Sequence, residues 1–368
     1  MGLVRVTLAL AVLLSHLPIM EFKFISGALA VQSFFIVSGF YMALVLEGKY
    51  KDARLFYSNR LLRLFPTYFL CCILAALTTW VFMASPTASP EIFATIFSDP
   101  LTAAIMVFEN IFLVGQELLF WFTVGPDGAL RIDTDGVVPD ETTLLGWQGL
   151  LVPQSWSLSM ELMFYALAPW LARAGWKWIA AIALLSIALR LAGAFLPIDY
   201  LLWQGRFFPT ALFLFLLGML AHKALPLAAR LPRWTGWIVN ALLLAFLILH
   251  PMLQEALSIE PVRGRWIVYA VVAAAIPFVF ATFKDFAWDR WIGDLSYPIY
   301  LTQLMTIGLV LTYEPPFAAA VAILGTIALS ALVLVLVEHP LDRWRQQRVR
   351  RARPEAVAAP SGASPAPL

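Results

Sequence analysis

Two ionisable residues, Arg5 and His16, stand eleven positions apart in the first apolar stretch of the chain. On an α-helix this spacing puts both side chains on one face, about 16 Å apart along the axis. An imidazole transfers protons near neutral pH, and a guanidinium binds anionic groups. Such groups are costly in lipid, so we expect them to face a protein interior or a water-filled cavity and to act there. The alternative is a snorkelling arginine with a hydrogen-bonded structural histidine.

The composition indicates which kind of protein must position these groups. Of the 368 residues, 61% are hydrophobic and only 13% are charged, and the mean hydropathy is +0.81. A soluble domain carries about twice that charged fraction, so we predict a polytopic helical membrane protein. The net charge of +2 gives no indication of a nucleic-acid partner, and we expect none. Cys71 and Cys72 are adjacent, and the four histidines lack the spacing of metal ligands, so we predict no metal site.

Ten apolar stretches are long enough to cross a membrane. They cover residues 3–20, 25–46, 64–84, 151–172, 176–195, 207–225, 233–250, 265–283, 294–313 and 317–338. We therefore predict an all-α integral membrane bundle. A further apolar stretch, 99–124, is less regular because it contains Glu109, Asn110, Gln116 and Glu117.

The distribution of basic residues decides how the stretch 99–124 is counted, because a crossing there would reverse the side of every later segment. If it makes no net crossing and the N-terminus is cytoplasmic, most of the 25 lysines and arginines fall on the cytoplasmic side. We therefore predict ten net crossings with both termini cytoplasmic. The stretch 99–124 is then a re-entrant or interfacial segment or a short helical pair, and the acidic loop 125–150 lies outside.

The chain divides into a membrane domain over residues 1–341 and a cytoplasmic tail over 342–368. The tail begins with a basic stretch and becomes rich in proline, alanine and serine, a composition typical of disorder. The sequence shows no soluble catalytic domain and no internal repeat. Any chemistry is therefore expected within the membrane bundle.

Residue counting along the predicted spans sorts the polar residues by depth, at about 1.5 Å per residue in a hydrocarbon layer of about 30 Å. His16, Glu161 and Arg190 fall in the outer half. We expect them to lie close together, since opposite charges offset part of the cost of desolvation. For Glu161 the alternative is an interhelical hydrogen bond. Another group falls near the cytoplasmic helix ends: Arg5, Arg60, Arg63, Ser296, Tyr297 and Glu338.

Several motifs follow the Arg5–His16 pair along the chain. They are AVQSFFIVSGF at 30–40, FYSNRLLRLFP at 56–66, SWSLSMELMFY at 155–165, GDLSYPIYL at 293–301 and VEHP at 337–340. Together they resemble the acyltransferase 3 family, especially its membrane enzymes that O-acetylate bacterial polysaccharides. The resemblance covers nearly the whole chain.

The resemblance implies an enzyme of the bacterial cytoplasmic (inner) membrane. It would transfer an acyl group, in the first place acetyl, from cytoplasmic acyl-CoA to a hydroxyl of an exported or cell-surface carbohydrate. Acetyl-CoA would be a co-substrate, and no permanently bound cofactor is implied. Carbohydrate and membrane lipid are the expected partners, and a homo-oligomer is compatible with the sequence. Arg5 and His16 match the family's Arg-x10-His pair, with His16 catalytic. Gln303 departs from the pattern, because relatives often have histidine there.

These expectations combine into one mechanism, in which His16 is the general base or the acyl acceptor and Glu161 orients it. Arginine forks suit phosphate oxygens, and the expected donor site consists of Arg5, Arg60, Arg63, Ser296 and Tyr297. The residues expected to bind the acceptor are Arg190, Arg206 and Tyr300. Three alternatives stay open: positive-inside anchoring by Arg60 and Arg63, arginine pairing by Glu338, and a kink or packing role for Tyr297, Pro298 and Tyr300.

A proton-coupled transporter or flippase of a glycan intermediate is the alternative function, because such carriers also use intramembrane Arg, Glu and His. Inverted repeats with paired Gly/Pro-broken segments would favour it, and the sequence shows no such pair. A scaffold whose basic tail binds anionic lipid is a third class. It leaves the buried charges unexplained.

Overall fold

A computed structural model describes residues 1–48, 52–133, 143–196 and 198–351. Its helices are α1 Gly2–His16, α2 Gly27–Gly48, α3 Ala53–Trp80, α4 Pro90–Ile96, α5 Pro100–Phe112, α6 Trp156–Arg173, α7 Trp176–Ala192, α8 Tyr200–Gly205, α9 Phe208–His222, α10 Leu225–Arg230, α11 Arg233–Ala256, α12 Pro261–Phe283, α13 Ala287–Asp294, α14 Ser296–Tyr313, α15 Ala318–Val333 and α16 His339–Arg351. A π-helical turn, Leu334–Glu338, joins α15 to α16. The predicted all-α membrane bundle is confirmed.

Eight helical segments of the described chain are long and apolar enough to cross a membrane. They are Gly27–Glu47, Ala53–Trp80, Trp176–Phe195, Leu202–Arg230, Arg233–Ala256, Pro261–Phe283, Ala287–Tyr313 and Ala318–Val349. Neither α1, with 15 residues, nor the more polar α6 belongs to this set. The count of ten crossings stays a prediction, since it requires these two helices to cross as well.

The stretch predicted as a re-entrant segment or short helical pair is built from α4 and α5, which meet at a bend of 119°. Each helix begins with a proline after a capping side chain: Ser89 accepts from the Ile92 N–H, and Asp99 accepts from the Thr102 N–H. The pair begins earlier than predicted, at Pro90. Its second helix ends where Leu113 takes a left-handed conformation with φ of 55°.

A small antiparallel sheet follows this pair, and the sequence analysis did not predict it. Its strands are β1 Phe122–Val124, β2 Leu130–Ile132 and β3 Leu144–Leu145, in the order β2-β1-β3. Thr123 pairs with Arg131 on one side and Leu145 on the other. Residues 134–142 of the predicted acidic loop lie outside the described residues, as does the predicted disordered stretch 354–368. Residues 342–351 of the predicted tail belong to α16.

Helix α1 lies against α2, α11, α13 and α14. The helix start is fixed by Asp289 of α13, whose carboxylate accepts hydrogen bonds from the N–H groups of Gly2 at 2.8 Å and Leu3 at 3.1 Å. The helix end is fixed by Lys23, whose Nζ donates to the carbonyls of Leu14 and Leu17. Both ends of α1 thus have partners for main-chain groups that a helix leaves unpaired. The Arg5–His16 face is held in one orientation.

Helices α2 and α9 pack with their main chains almost in contact. A Cβ atom at Gly39 would lie 1.8 Å from the Phe215 carbonyl oxygen, and one at Gly218 would lie 1.9 Å from the Ile36 carbonyl oxygen. Only glycine fits at both positions. Small residues of this kind let membrane helices approach closely, so Gly39 within the 30–40 motif has a packing role.

Replacement of Gly39 by alanine should destabilise the bundle, since the added methyl group has no space beside the Phe215 carbonyl. Overpacking of this kind costs about 1–3 kcal/mol. Gly325→Ala is the matched control, because no atom lies within 4 Å of a Cβ there. Thermal unfolding in detergent should show a lower midpoint for Gly39→Ala and no loss for Gly325→Ala. Equal midpoints would contradict the packing role.

Candidate active site

A cavity of about 770 Å³ lies within the bundle on the side where α1 begins, here called the Met1 side. Residues of α1, α2, α3, α6, α12, α13, α14 and α16 line it. The residues predicted to form a donor site all line this one cavity: Arg5, Arg60, Arg63, Ser296 and Tyr297. The fold thus brings together side chains that are far apart in the sequence.

Basic side chains outnumber acidic ones in this cavity, since five arginines and one lysine line it together with four carboxylates. Arg60 is only 8% exposed, and its guanidinium lies 5.8 Å from the Phe56 ring and 5.9 Å from the Tyr165 ring. Its Nε has no hydrogen-bond partner among the described residues. Arg5 is paired only loosely, with Nη1 3.8 Å from Asp294 Oδ1. Guanidinium groups whose N–H donors are not all used within the protein are suited to binding an anion.

The two hydroxyl residues of the predicted donor site donate to main-chain carbonyls. Ser296 Oγ donates to Gly293 O at 2.7 Å, and Tyr297 OH donates to Leu64 O at 2.8 Å. These bonds join α13 to α14 and α14 to α3. Both hydroxyl oxygens keep lone pairs that can accept a hydrogen bond.

Glu161 lines the same cavity from α6. Its Oε1 accepts from Ser38 Oγ at 2.7 Å and from Tyr165 OH at 2.5 Å. Arg63 is near enough to interact with it electrostatically. No hydrogen bond or ion pair joins Glu161 to His16 within the described ranges. The expected grouping of these two residues is therefore not formed, and Glu161 belongs with the arginines of the cavity.

Glu338 lies at the end of the π-helical turn and is also close to the arginines. It accepts a hydrogen bond from Thr67 Oγ1, and its basic neighbours are Arg63 and Arg345. Its hydrogen bond is to a threonine, and no ion pair with an arginine is formed among the described residues, so arginine pairing by Glu338 stays a prediction.

His16 lies at the opposite end of α1, here called the His16 side, and is exposed. Its Nδ1 is 3.0 Å from the Val12 carbonyl oxygen. Since a carbonyl only accepts, Nδ1 must carry the proton, and in the neutral ring Nε2 is left without one. Gln303 lies near the ring, and Arg206 is one of its two charged neighbours. The unprotonated Nε2 is suited to accept a proton or an acyl group.

Arg206 is held between two aromatic rings on this side. Its guanidinium carbon lies 3.7 Å from the centre of the Phe120 ring and 3.7 Å from the centre of the Trp156 ring. Rings at this distance stabilise a cation through their negative faces. Nη1 of Arg206 is buried and has no hydrogen-bond partner in the described part of the chain. The two rings thus fix the Arg206 guanidinium in place, and its Nη1 donates no hydrogen bond to the described residues.

Tyr300 lies between the cavity and the His16 side. It lines the cavity, and its hydroxyl donates to Gln154 O at 2.6 Å and lies 2.7 Å from Ser157 Oγ. Both Arg206 and Glu161 are near enough to interact with it electrostatically. The inner end of the cavity and the group around His16 therefore meet at Tyr300.

Arg190 is part of neither group. It is 1% exposed, and its Nη1 donates to Gln204 O at 2.5 Å and more weakly to Thr210 O at 3.4 Å. Its Nη2 lies 3.3 Å from Tyr269 OH. These contacts tie α7 to α8, α9 and α12. The structure does not bring Arg190 into hydrogen-bond contact with either His16 or Glu161 within the described residues.

Several residues that line the cavity or surround His16 were not predicted from the sequence. The signal for Ser157 and Tyr165 was present, since both lie in the 155–165 motif with Glu161. Phe120 gave no signal, because an aromatic residue in an apolar stretch usually packs in the core. Arg345 lines the cavity but stood among the basic residues of the predicted tail. The described residues contain no group of three or more His, Cys, Asp or Glu that could hold a metal ion.

The fold and these two polar groups define a multi-pass membrane protein with an internal cavity that could take an anionic ligand. A family model described as "Acyltransferase domain" matches residues 1–337. The chain belongs to the acyltransferase 3 family, and it is a membrane acyltransferase. Comparison with curated proteins and comparison with solved structures give no match.

Replacement of Arg190 by methionine should lower stability, because Gln204 O loses a buried charged donor. Each such hydrogen bond contributes about 1.5–3 kcal/mol. Arg263→Met is the control, since that side chain is 83% exposed. Thermal unfolding in detergent should show a clear loss for Arg190→Met only. Normal unfolding combined with lost acyl transfer would instead assign Arg190 to the substrate site.

Proposed function

We propose that this membrane acyltransferase moves an acyl group, in the first place acetyl, from acyl-CoA to a hydroxyl of a carbohydrate. Acyl-CoA enters from the Met1 side, and the carbohydrate binds on the His16 side. The observation that carries the proposal is the arginine-lined cavity that ends at Tyr300, beside Arg206 and His16.

The shape and charge of the cavity support a nucleotide thioester as donor. Its volume of about 770 Å³ is within the usual range of ligand sites. The phosphates would lie with Arg5 and Arg63, and the pantetheine arm would extend towards Ser157 and Tyr300. Because α1 spans about 16 Å between Arg5 and His16, the thioester can approach His16 while the nucleotide stays on the Met1 side.

The reaction uses Nε2 of His16 as the base. It takes the proton of the sugar hydroxyl while that oxygen attacks the thioester carbonyl carbon. The carbonyl oxygen becomes negatively charged, and the unpaired Nη1 of Arg206 is the donor placed to stabilise it. The tetrahedral intermediate then collapses with cleavage of the C–S bond. The thiolate takes the proton from the imidazolium and leaves as coenzyme A. In a two-step variant, Nε2 first accepts the acyl group itself.

Glu161 acts on the donor in this proposal, because its contacts lie in the cavity. Ser38 and Tyr165 fix one carboxylate oxygen, and the charge balances part of the repulsion between Arg60 and Arg63 when the donor is absent. We therefore assign Glu161 the role of positioning the donor arginines. This role replaces the direct contact between Glu161 and His16 that the sequence suggested.

Aromatic rings on the His16 side support a carbohydrate acceptor. Trp203 and Phe207 stack with ring centres 4.9 Å apart, and Trp121 lies edge-on to Phe207 at 6.2 Å. The negative faces of such rings attract the C–H groups of a sugar. The indole N–H of Trp121 has no hydrogen-bond partner among the described residues and can donate to a sugar hydroxyl.

Replacement of His16 by glutamine should reduce acyl transfer about 10²–10⁴-fold, since glutamine cannot act as a base. The assay is transfer of labelled acetyl from acetyl-CoA to bacterial surface oligosaccharides in proteoliposomes. His250→Gln is the control, because His250 lies on α11 against Phe246 and outside the cavity. Retained transfer by His16→Gln would remove His16 from the mechanism. Movement of unmodified oligosaccharide by the wild-type protein, without any transfer, would identify a carrier.

Replacement of Arg206 by lysine should lower kcat about 10²–10³-fold with little change in donor binding. Lysine keeps the charge but loses the planar group that fits between Phe120 and Trp156. Binding of coenzyme A to the purified variant, measured by calorimetry, separates the two effects. A parallel loss of coenzyme A affinity would place Arg206 in the donor site instead.

A further inference from the structure

Helix α16 forms part of the cavity wall although it lies beyond residue 337, where the match to the family ends. Asp342, Arg345, Gln346 and Val349 all line the cavity. These positions follow the 3–4 residue spacing of one helix face. The face that α16 presents to the cavity is therefore continuous along the helix.

The helix is held in this position from its other side. Arg348 Nη1 donates to Asn59 Oδ1 at 3.0 Å, and its Nη2 donates to Ser58 Oγ at 2.9 Å. The Arg348 guanidinium also lies over the Trp344 ring at 5.3 Å. Since Ser58 and Asn59 immediately precede Arg60 on α3, these bonds fix α16 beside the arginines of the cavity.

Arg345 adds a further cation to those arginines. Its Nη2 lies 2.6 Å from Asp342 Oδ1, and its side chain is 13% exposed. Arg63 and Arg60 are both near enough to repel it electrostatically. Like charges held together in this way are stabilised when a polyanion binds between them.

We propose that α16 completes the donor site, with Arg345 binding a phosphate group of coenzyme A and Arg348 acting as a positioning residue that holds α16 against α3. This inference rests on the proposed use of acyl-CoA as donor. It assigns a binding role to a helix that the family match does not include.

The test is binding of coenzyme A to the full-length chain in detergent, measured by calorimetry. Arg345→Gln should weaken binding about 10-fold or more, as expected for loss of one charge-assisted contact. Arg343→Gln is the matched control, because it removes the same charge from the same helix at an exposed position outside the cavity. It should bind as the wild type does.

Gln346→Glu provides a second measurement that does not depend on loss of Arg345. Gln346 is exposed at the cavity wall and donates to Asp342. Because the substitution removes only this exposed hydrogen bond, the variant should fold, and the added negative charge should weaken coenzyme A binding. In acyl transfer, Arg345→Gln and Gln346→Glu should each raise KM for acyl-CoA with little change in kcat. Arg348→Gln should have the same effect. Equal affinities for wild type, Arg345→Gln and Gln346→Glu would overturn the role of α16 alone. Failure of the wild-type protein to bind coenzyme A would overturn the proposed donor as well.

Discussion

Removal of arginine side chains from water is the constraint on which the rest of this structure depends. A guanidinium cannot lose its charge in a protein, so each buried one needs carbonyl oxygens, carboxylates or aromatic faces around it. Arg190 donates to main-chain carbonyls, Arg206 lies between two rings, and Arg60 shares a cavity with Glu161. Arg190 uses its donors to join helices. Arg60 and Arg206 each retain a nitrogen without a hydrogen-bond partner among the described residues. These N–H groups can donate hydrogen bonds to a negatively charged ligand.

Helix α1 carries one residue of each polar group, with Arg5 at the cavity and His16 at the opposite end. Arg5 and His16 belong to one continuous helix, which fixes the distance between them, and Asp289 and Lys23 hold its two ends in the bundle. Arg5 lines the cavity, whereas His16 is exposed at the far end. Tyr300 lies between the two groups, with hydrogen-bond contacts to Gln154 and Ser157. Arg206 links the two groups, because it is near enough to interact electrostatically with both Tyr300 and the His16 ring.

Much of this arrangement could be predicted from the sequence, and the failures have a common cause. Hydropathy predicted the bundle, and depth grouped five residues that do line the cavity, because residue counting measures height along a helix well: Arg5, Arg60, Arg63, Ser296 and Tyr297. Residue counting does not measure rotation about the helix axis. Glu161 and Arg190 were expected beside His16, yet Glu161 turns towards α2 and Arg190 towards α9. Strands β1 and β2 form a hairpin across residues 125–129. The Pro126-Asp127-Gly128 sequence there is a turn signal, but it lay inside a stretch interpreted only by its apolar and acidic composition.

Gln303, which stands where the sequence resemblance implied a histidine, bears on the role of His16. Gln303 is fully buried, and its Nε2 donates to Tyr300 O at 3.1 Å, while its Oε1 has no hydrogen-bond partner in the described chain. An amide cannot take up a proton at ordinary pH, so it does not compete for protons with the nearby His16 ring. It can instead accept a hydrogen bond from an N–H group or a hydroxyl. Where the sequence resemblance implied a histidine, this chain has a neutral acceptor, and the proton chemistry proposed for the His16 side rests on one imidazole.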